Sequence, residues 1–264
     1  MIDMNILTED YFSTDEPVPY ELKCGLEILI YPVKVKDWGK FNSNLGVLTI
    51  DKNEINDIEI IKMSYLDFII RLSFEDIKWF ERLGNVLKYS LHEDFISVEE
   101  NNGKNVLTIL NNDTTIKGYI TSREFDEIKR IILFQNIYDY DDRYVSPDVK
   151  ELYMTYINAT NKNQEDPTLE RKKVFVMGKT GYNIKELNEM SYRIFYQLYN
   201  MHVEVDLYYA RKIIQASQKY DVKEEVIYPL FEKKKDRYEA IFTSTNTLSE
   251  KGISGAERLN NLQE

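Results

Sequence analysis

The segment VFVMGKTG at 174–181 ends as a phosphate-binding loop ends, with Gly178, Lys179 and Thr180. A working loop needs another glycine five positions before Gly178, so that successive backbone N–H groups can wrap the phosphates. Lys173 stands there, and the residues before the motif read as helix where a strand is required. Gly178 and Gly181 are better explained as helix-ending residues. A second candidate is the acidic knot of Asp139, Asp141 and Asp142. Counted as an EF-hand from Asp139, it would need Gly at Tyr144 and Glu at Lys150, and it has neither. An acidic turn between domains, or a patch facing a partner, is the expected reading. His92 falls in a turn and His202 at a helix junction, with no second histidine at helical spacing, so a zinc site is not expected. Cys24 with either histidine is formally a nucleophile pair, but nothing singles the pair out, and Cys24 reads as a small buried hydrophobe. Carboxylate pairs leave no spacing signature, so a small hydrolase stays open as a third functional class. No cofactor or metal is implied.

Composition narrows the partners. The 264 residues are 43% hydrophobic and 30% charged, enough for one or two domains with a sizeable core. The formal net charge of -11 sets long-range repulsion against nucleic acid and anionic membranes unless basic residues are segregated. Lys172 with Lys173, and Lys233 to Lys235, are short and flanked by acids, so solvated helix faces are the better reading. One cysteine allows no intrachain disulfide, which fits a reducing compartment. The first residues lack the basic start and apolar run of a signal peptide, and no apolar stretch is long enough to cross a bilayer. The expectation is a protein kept inside a cell. Tyrosine is abundant, at 20 residues against 2 Trp, which suits half-buried surfaces and interfaces. The Asn, Ile, Lys and Tyr bias of an AT-rich coding sequence explains the count equally well.

The elements that must position these residues form an α+β chain. Residues 1–18 read as an extended arm, 19–137 as an α+β domain, 138–242 as a helical domain and 243–264 as a flexible, disordered tail. Residues 26–35 alternate well enough for a strand, with Pro32 limiting it to an edge or a bend. Asp37 can cap a helix to about 44, and the apolar stripe over 58–74 predicts one buried amphipathic helix. The runs VLKYSL, FISVEE, NVLTIL and TTIKGYI between 86 and 120 predict a small antiparallel meander, with Asn102 and Gly103 in a tight turn. Thr121 and Ser122 then cap a helix to about 135. Farther on, Ser146 and Pro147 start one helix, Pro167 a second and Asn183 a third reaching about 201. A fourth is predicted from about 205 to 220, and Pro229 anchors a last segment to about 242.

The order of motifs in the middle and C-terminal parts carries a resemblance. YDYDDRYVSPDVKE at 138–151 is followed by a polar linker, then MGKTGY at 177–182, MSYRIF at 190–195 and PLFEKKKDRY at 229–238. With IYPVKVKDW at 30–38 and MSYLDF at 63–68, it resembles small tail-region proteins of bacteriophages and prophages of Gram-positive bacteria. The resemblance covers most of the chain except its two ends. It implies a tail assembly chaperone, which holds the tape-measure protein soluble until tail tubes polymerise around it, in the host cytoplasm. The alternative within the resemblance is a structural tail or baseplate component in the virion tail, working in symmetric copies. A chaperone for a helical, apolar client needs amphipathic helices with adaptable Met and aromatic faces. Tyr192, Phe195, Tyr196, Tyr199, Met201, Tyr208 and Tyr209 supply that mixture, although Phe195, Leu198 and Ile213 also suit a helical core. The partners expected are therefore other tail proteins, the tape-measure protein as client, and further copies of this chain; nucleic acid and membrane are not expected.

Overall fold

In the computed structural model, the residues described are 3–55, 57–93, 96–111, 113–160, 166–217, 226–232 and 238. The architecture is α+β, with a two-stranded and a three-stranded antiparallel sheet among the helices. The described residues divide into two compact units. Unit 1 comprises Met1–Asp141 and Thr168–Asp206, and unit 2 comprises Asp142–Pro167 and Leu207–Glu264. Residues 168–206 therefore belong with the N-terminal part, and a single division near 138 does not describe the chain.

Unit 1 begins with helix rather than an extended arm. Asp3 caps α1 (Met4–Leu7) by accepting from the Asn5 N–H, and a π-helical turn over Thr8–Phe12 continues it. Met4, Leu7 and Phe12 recur at near-helical spacing and are all buried in the main core, which is why the segment coils. A hairpin of β1 (Val18–Glu21) and β2 (Glu27–Ile30) follows, with Val18 opposite Ile30. The strand is shorter than the alternation over 26–35 suggests, because residues beyond Ile30 bond elsewhere. The Tyr31 N–H donates to the Ser90 carbonyl, and the Val33 N–H donates to Asn136 Oδ1 at 2.8 Å.

Next come α2 (Trp38–Leu45), α3 (Ile58–Lys62), α4 (Tyr65–Glu75) and α5 (Lys78–Leu91). The single helix expected over 58–74 is broken because Met63 and Ser64 are extended, and the Ser64 hydroxyl accepts the Asp67 N–H to start α4. The expected strand at 86–91 is the C-terminal half of α5. Leu83, Val86, Leu87, Ser90 and Leu91 are buried at helical spacing, and upstream residues complete the face. His92 ends α5 in the left-handed region, at φ 56°, and its ring stacks on Tyr31 at 3.9 Å.

The remaining three runs form the expected meander: β3 (Ile96–Asn101), β4 (Lys104–Leu110) and β5 (Ile116–Thr121), paired in that order. Asn102 and Gly103 connect β3 to β4 at φ 52° and 75°, the positive pair that a two-residue primed turn demands. Thr121 then caps α6 (Ser122–Asn136) through a reciprocal capping box with Glu124. Phe125, Ile128, Ile131 and Ile132 drive α6 into one core shared with α4, α5 and both sheets.

Beyond α7 (Pro147–Thr160), which lies in unit 2, α8 (Leu169–Thr180) and α9 (Ile184–Glu189) return to unit 1. Thr168 caps α8, and Gly181 ends it at φ 79°, whereas Gly178 lies inside the helix. Asn183 caps α9 with a second capping box, but α9 stops at Glu189 because Met190 is extended. One helix, α10 (Tyr192–Ala216), then replaces the two expected between 183 and 220. It contains no Gly or Pro to break it, and His202 sits in its interior rather than at a junction. Its residues to Asp206 belong to unit 1 and those from Leu207 to unit 2. A 3-10 turn at Pro229–Phe231 is the last described element. The tail at 243–264, most of the linker at 161–165 and Lys233 to Lys235 lie outside the described residues. Among the described residues, no helix is long and apolar enough to cross a membrane.

Candidate functional site

The seven residues that the sequence offers for partner binding separate by unit. Four of them build a seam inside unit 1. Residues 33–36 run as an extended segment against the start of α10. The Tyr192 N–H donates to the Val33 carbonyl at 2.8 Å, and the Val35 N–H donates to the Met190 carbonyl at 2.9 Å. This register lays the Tyr192 ring flat on Trp38, with centroids 3.5 Å apart and planes 2° apart. Tyr196 stacks on Tyr192 at 5.8 Å, Tyr199 lies 6.0 Å further along, and Phe175 meets Tyr199 edge-on at 5.7 Å. Below them Phe195 is fully buried with Val35, Val176 and Leu187 in a second, small core. Lys172, only 4% exposed, holds its ammonium 5.1 Å from the Tyr196 ring and 5.3 Å from the Tyr199 ring.

Polar groups fix the same seam. Arg193 is buried and donates through Nη1 to the carbonyls of Phe134 and Ile137. Its guanidinium also lies 5.5 Å from the Phe12 ring, and burial pushes its pKa down. Asp15 accepts from the Ser191 N–H and from Lys34 Nζ. Removing one partner of such a contact leaves a part-buried charge or carbonyl unsatisfied, which penalises any arrangement that breaks it. These contacts make the docking of α9 and α10 specific.

Unit 2 is built differently. It holds Tyr208 and Tyr209, while Met201 stands in unit 1 at 38% exposure. Tyr208 is half-buried and meets Tyr228 edge-on at 5.1 Å, and Tyr209 is 56% exposed. Around them Leu207, Ile213 and Ile214 are exposed, as are Leu152, Met154 and Tyr156 on α7 and Leu230 and Phe231 on the final turn. Ile213, which suits a core by its spacing, is 70% exposed. Among the described residues of unit 2, not one apolar side chain is buried. Helices whose described apolar faces stand exposed are unusual in a protein that functions alone.

The acidic knot does not converge. Asp139 and Asp142 are exposed and Asp141 half-buried. Among the described residues no group of three or more His, Cys, Asp or Glu could hold a metal ion. Gly178, Lys179 and Thr180 occupy the last turn of α8, where Lys179 pairs with Asp206 at 2.6 Å and Thr180 bonds back to the Val176 carbonyl. Cys24 is half-buried, and its Sγ donates to the Tyr119 carbonyl at 3.7 Å. Sequence reasoning missed Trp38, Lys172 and Arg193 as parts of the seam. Trp38 had a visible signal, since a flat indole beside a predicted strand seeks an aromatic partner. The two cations had none, because burial of a single cation leaves no spacing signature. No family model matches the chain, and no match to it was found among curated proteins or solved structures.

Proposed function

We propose that this protein acts by binding another protein through unit 2, and that its partner is a phage tape-measure protein held soluble before tail assembly. The observation that carries the binding reading is the absence of any buried apolar side chain among the described residues of unit 2, set against its many exposed ones. Leu152 with Tyr156, and Tyr209 with Ile213, stand four residues apart on their helices, the spacing at which one helix face is presented. An amphipathic helical client matches such faces, and Met154 brings a side chain that adapts to different neighbours. The identity of the client rests on the resemblance to tail-region proteins of Gram-positive phages and prophages. The net charge of -11 keeps the unloaded protein soluble through mutual repulsion despite the exposed apolar surface.

The test is affinity purification from infected or induced cells, with mass spectrometry of the captured partners and of finished particles. Recovery of tape-measure protein, with this chain missing from particles, is expected. The chain at fixed stoichiometry in particles would instead establish a structural tail subunit, and recovery of neither would overturn both.

A further inference from the structure

In unit 1, the β3–β4 turn, the β1–β2 loop and the start of α6 enclose an open groove of about 760 Å³. That volume lies within the range that small-molecule sites occupy. Three cations from three separate elements line it: Lys23, Lys104 and Arg123. Three other lysines of unit 1 are paired with carboxylates, Lys34 with Asp15, Lys36 with Glu189 and Lys179 with Asp206. The ammonium groups of Lys23 and Lys104, in contrast, pair with no described residue. The Arg123 guanidinium is 78% exposed and reaches Glu127 only at 3.9 Å, too far for a hydrogen bond. In a chain with 45 acidic and 34 basic residues, three cations against one carboxylate in the lining of a groove are a local excess of positive charge.

Two nearby acids, Glu124 and Asp67, stand outside the lining and are held by other donors. Glu124 is buried and already accepts from the Lys23 and Thr121 backbone N–H groups. Asp67 accepts from Ser64 and Asn105. Asp126 is the one carboxylate in the lining, where burial pushes its pKa up against the opposing pull of Lys129 and Lys52. The remaining wall offers the Asn102 amide and the Tyr119 ring. We propose that this groove binds a nucleoside diphosphate or a phosphorylated small molecule of that size. Lys23, Lys104 and Arg123 take the phosphates, and Tyr119 takes the base or another flat ring. Charge-assisted bonds from Arg and Lys suit phosphate oxygens, and an aromatic face suits a base of any sequence. A polymer of phosphates is disfavoured, because the net charge of -11 repels a long polyanion far more than a small one.

The probes are ADP, inorganic pyrophosphate and adenosine, titrated into the full chain at physiological salt and followed by amide resonances and calorimetry. ADP is expected to bind saturably, shifting resonances of residues 101–106 and 121–124. Pyrophosphate is expected at the same residues with lower affinity, and adenosine alone more weakly than ADP. Lys104→Gln and Arg123→Gln should each weaken ADP about tenfold, the worth of one charged hydrogen bond. Both side chains are exposed, so the far-ultraviolet dichroism of each variant should match the parent and separates lost binding from lost folding. Absence of any shift with ADP at millimolar concentration overturns the site, as does unchanged affinity in the K104Q/R123Q double variant. Equal affinity for ADP and pyrophosphate overturns the role given to Tyr119.

Discussion

Unit 1 and unit 2 share residue types but not their use. In unit 1, Phe41, Phe68, Phe125 and Phe195 are all fully buried, and tyrosines such as Tyr65 and Tyr192 are packed against other rings. In unit 2, Leu207, Tyr209, Ile213 and Phe231 face outward, and no described apolar side chain is buried. The difference shows that aromatic richness alone does not mark an interface. The same tyrosine-bearing helix, α10, buries Phe195 before Asp206 and carries the exposed Leu207, Ile213 and Ile214 after it. What distinguishes the two is whether another element closes over the face.

The largest expected contrast is in hydrogen exchange. Amides of α6, whose face lies in the main core, should open only with global unfolding, on the order of 5–15 kcal/mol for a domain of this kind. Amides of α7 and of α10 beyond Leu207 should exchange through local opening at a small fraction of that energy. Equal protection in the two units would break the comparison. Binding of the proposed client should raise protection in unit 2 and leave α6 unchanged.

Point variants sharpen it. Phe195→Ala removes a fully buried ring from a core of only four buried residues, and should cost about 3–5 kcal/mol in chemical denaturation. Arg193→Met leaves the Phe134 carbonyl without its donor and should cost about 1–3 kcal/mol. A neutral result for Arg193→Met would show that water replaces the guanidinium at the seam.

A smaller effect is expected at Lys129, whose ammonium sits 3.4 Å above the Tyr65 ring. Burial, with Lys52 adding repulsion, pushes its pKa down to about 8, and Asp126 only partly opposes the shift. The folded pKa is thus below the unfolded one, so the unfolded chain binds the proton more tightly. Stability should therefore rise as pH climbs from about 8 towards the ordinary lysine value near 10.4. Lys129→Met should flatten that rise and leave the protein slightly more stable at neutral pH, measured by denaturation across the range. Loss of stability at neutral pH would mean that the ammonium–ring contact outweighs the burial penalty.

The sequence disclosed the parts of unit 1 whose signals are local. Asn102 with Gly103 fixed a turn, Thr121 with Glu124 a helix start, and Asn183 with Glu186 another. It concealed what depends on distant residues. Leu83 and Val86 look like the approach to a strand until α2 and α4 are placed against them. The Ser64 cap was present in the sequence, but the apolar stripe on either side of it read straight through. Met4, Leu7 and Phe12 are too few to define a face until the core that receives them exists. For the candidate site, residue type suggested seven positions and could not sort them. Phe195 and Tyr209 both read as aromatic residues on a helix, and only tertiary contacts separate the buried one from the exposed one.

The smallest expected change in stability carries the most information about function. Ile213 is 70% exposed, so Ile213→Asp removes little buried area and should alter unfolding energy by no more than about 0.5 kcal/mol. In a helix whose exposed face receives a client, the same change places a carboxylate against an apolar partner. An unpaired charge in such an interface is costly enough to weaken binding about tenfold or more. The pair of measurements, denaturation of the free protein and affinity for the proposed tape-measure client, therefore separates surface from core. Loss of stability alone would show that Ile213 packs within unit 2 after all. Unchanged stability with unchanged affinity would remove this face of α10 from the binding surface and leave α7, through Leu152 and Tyr156, as the element to alter next.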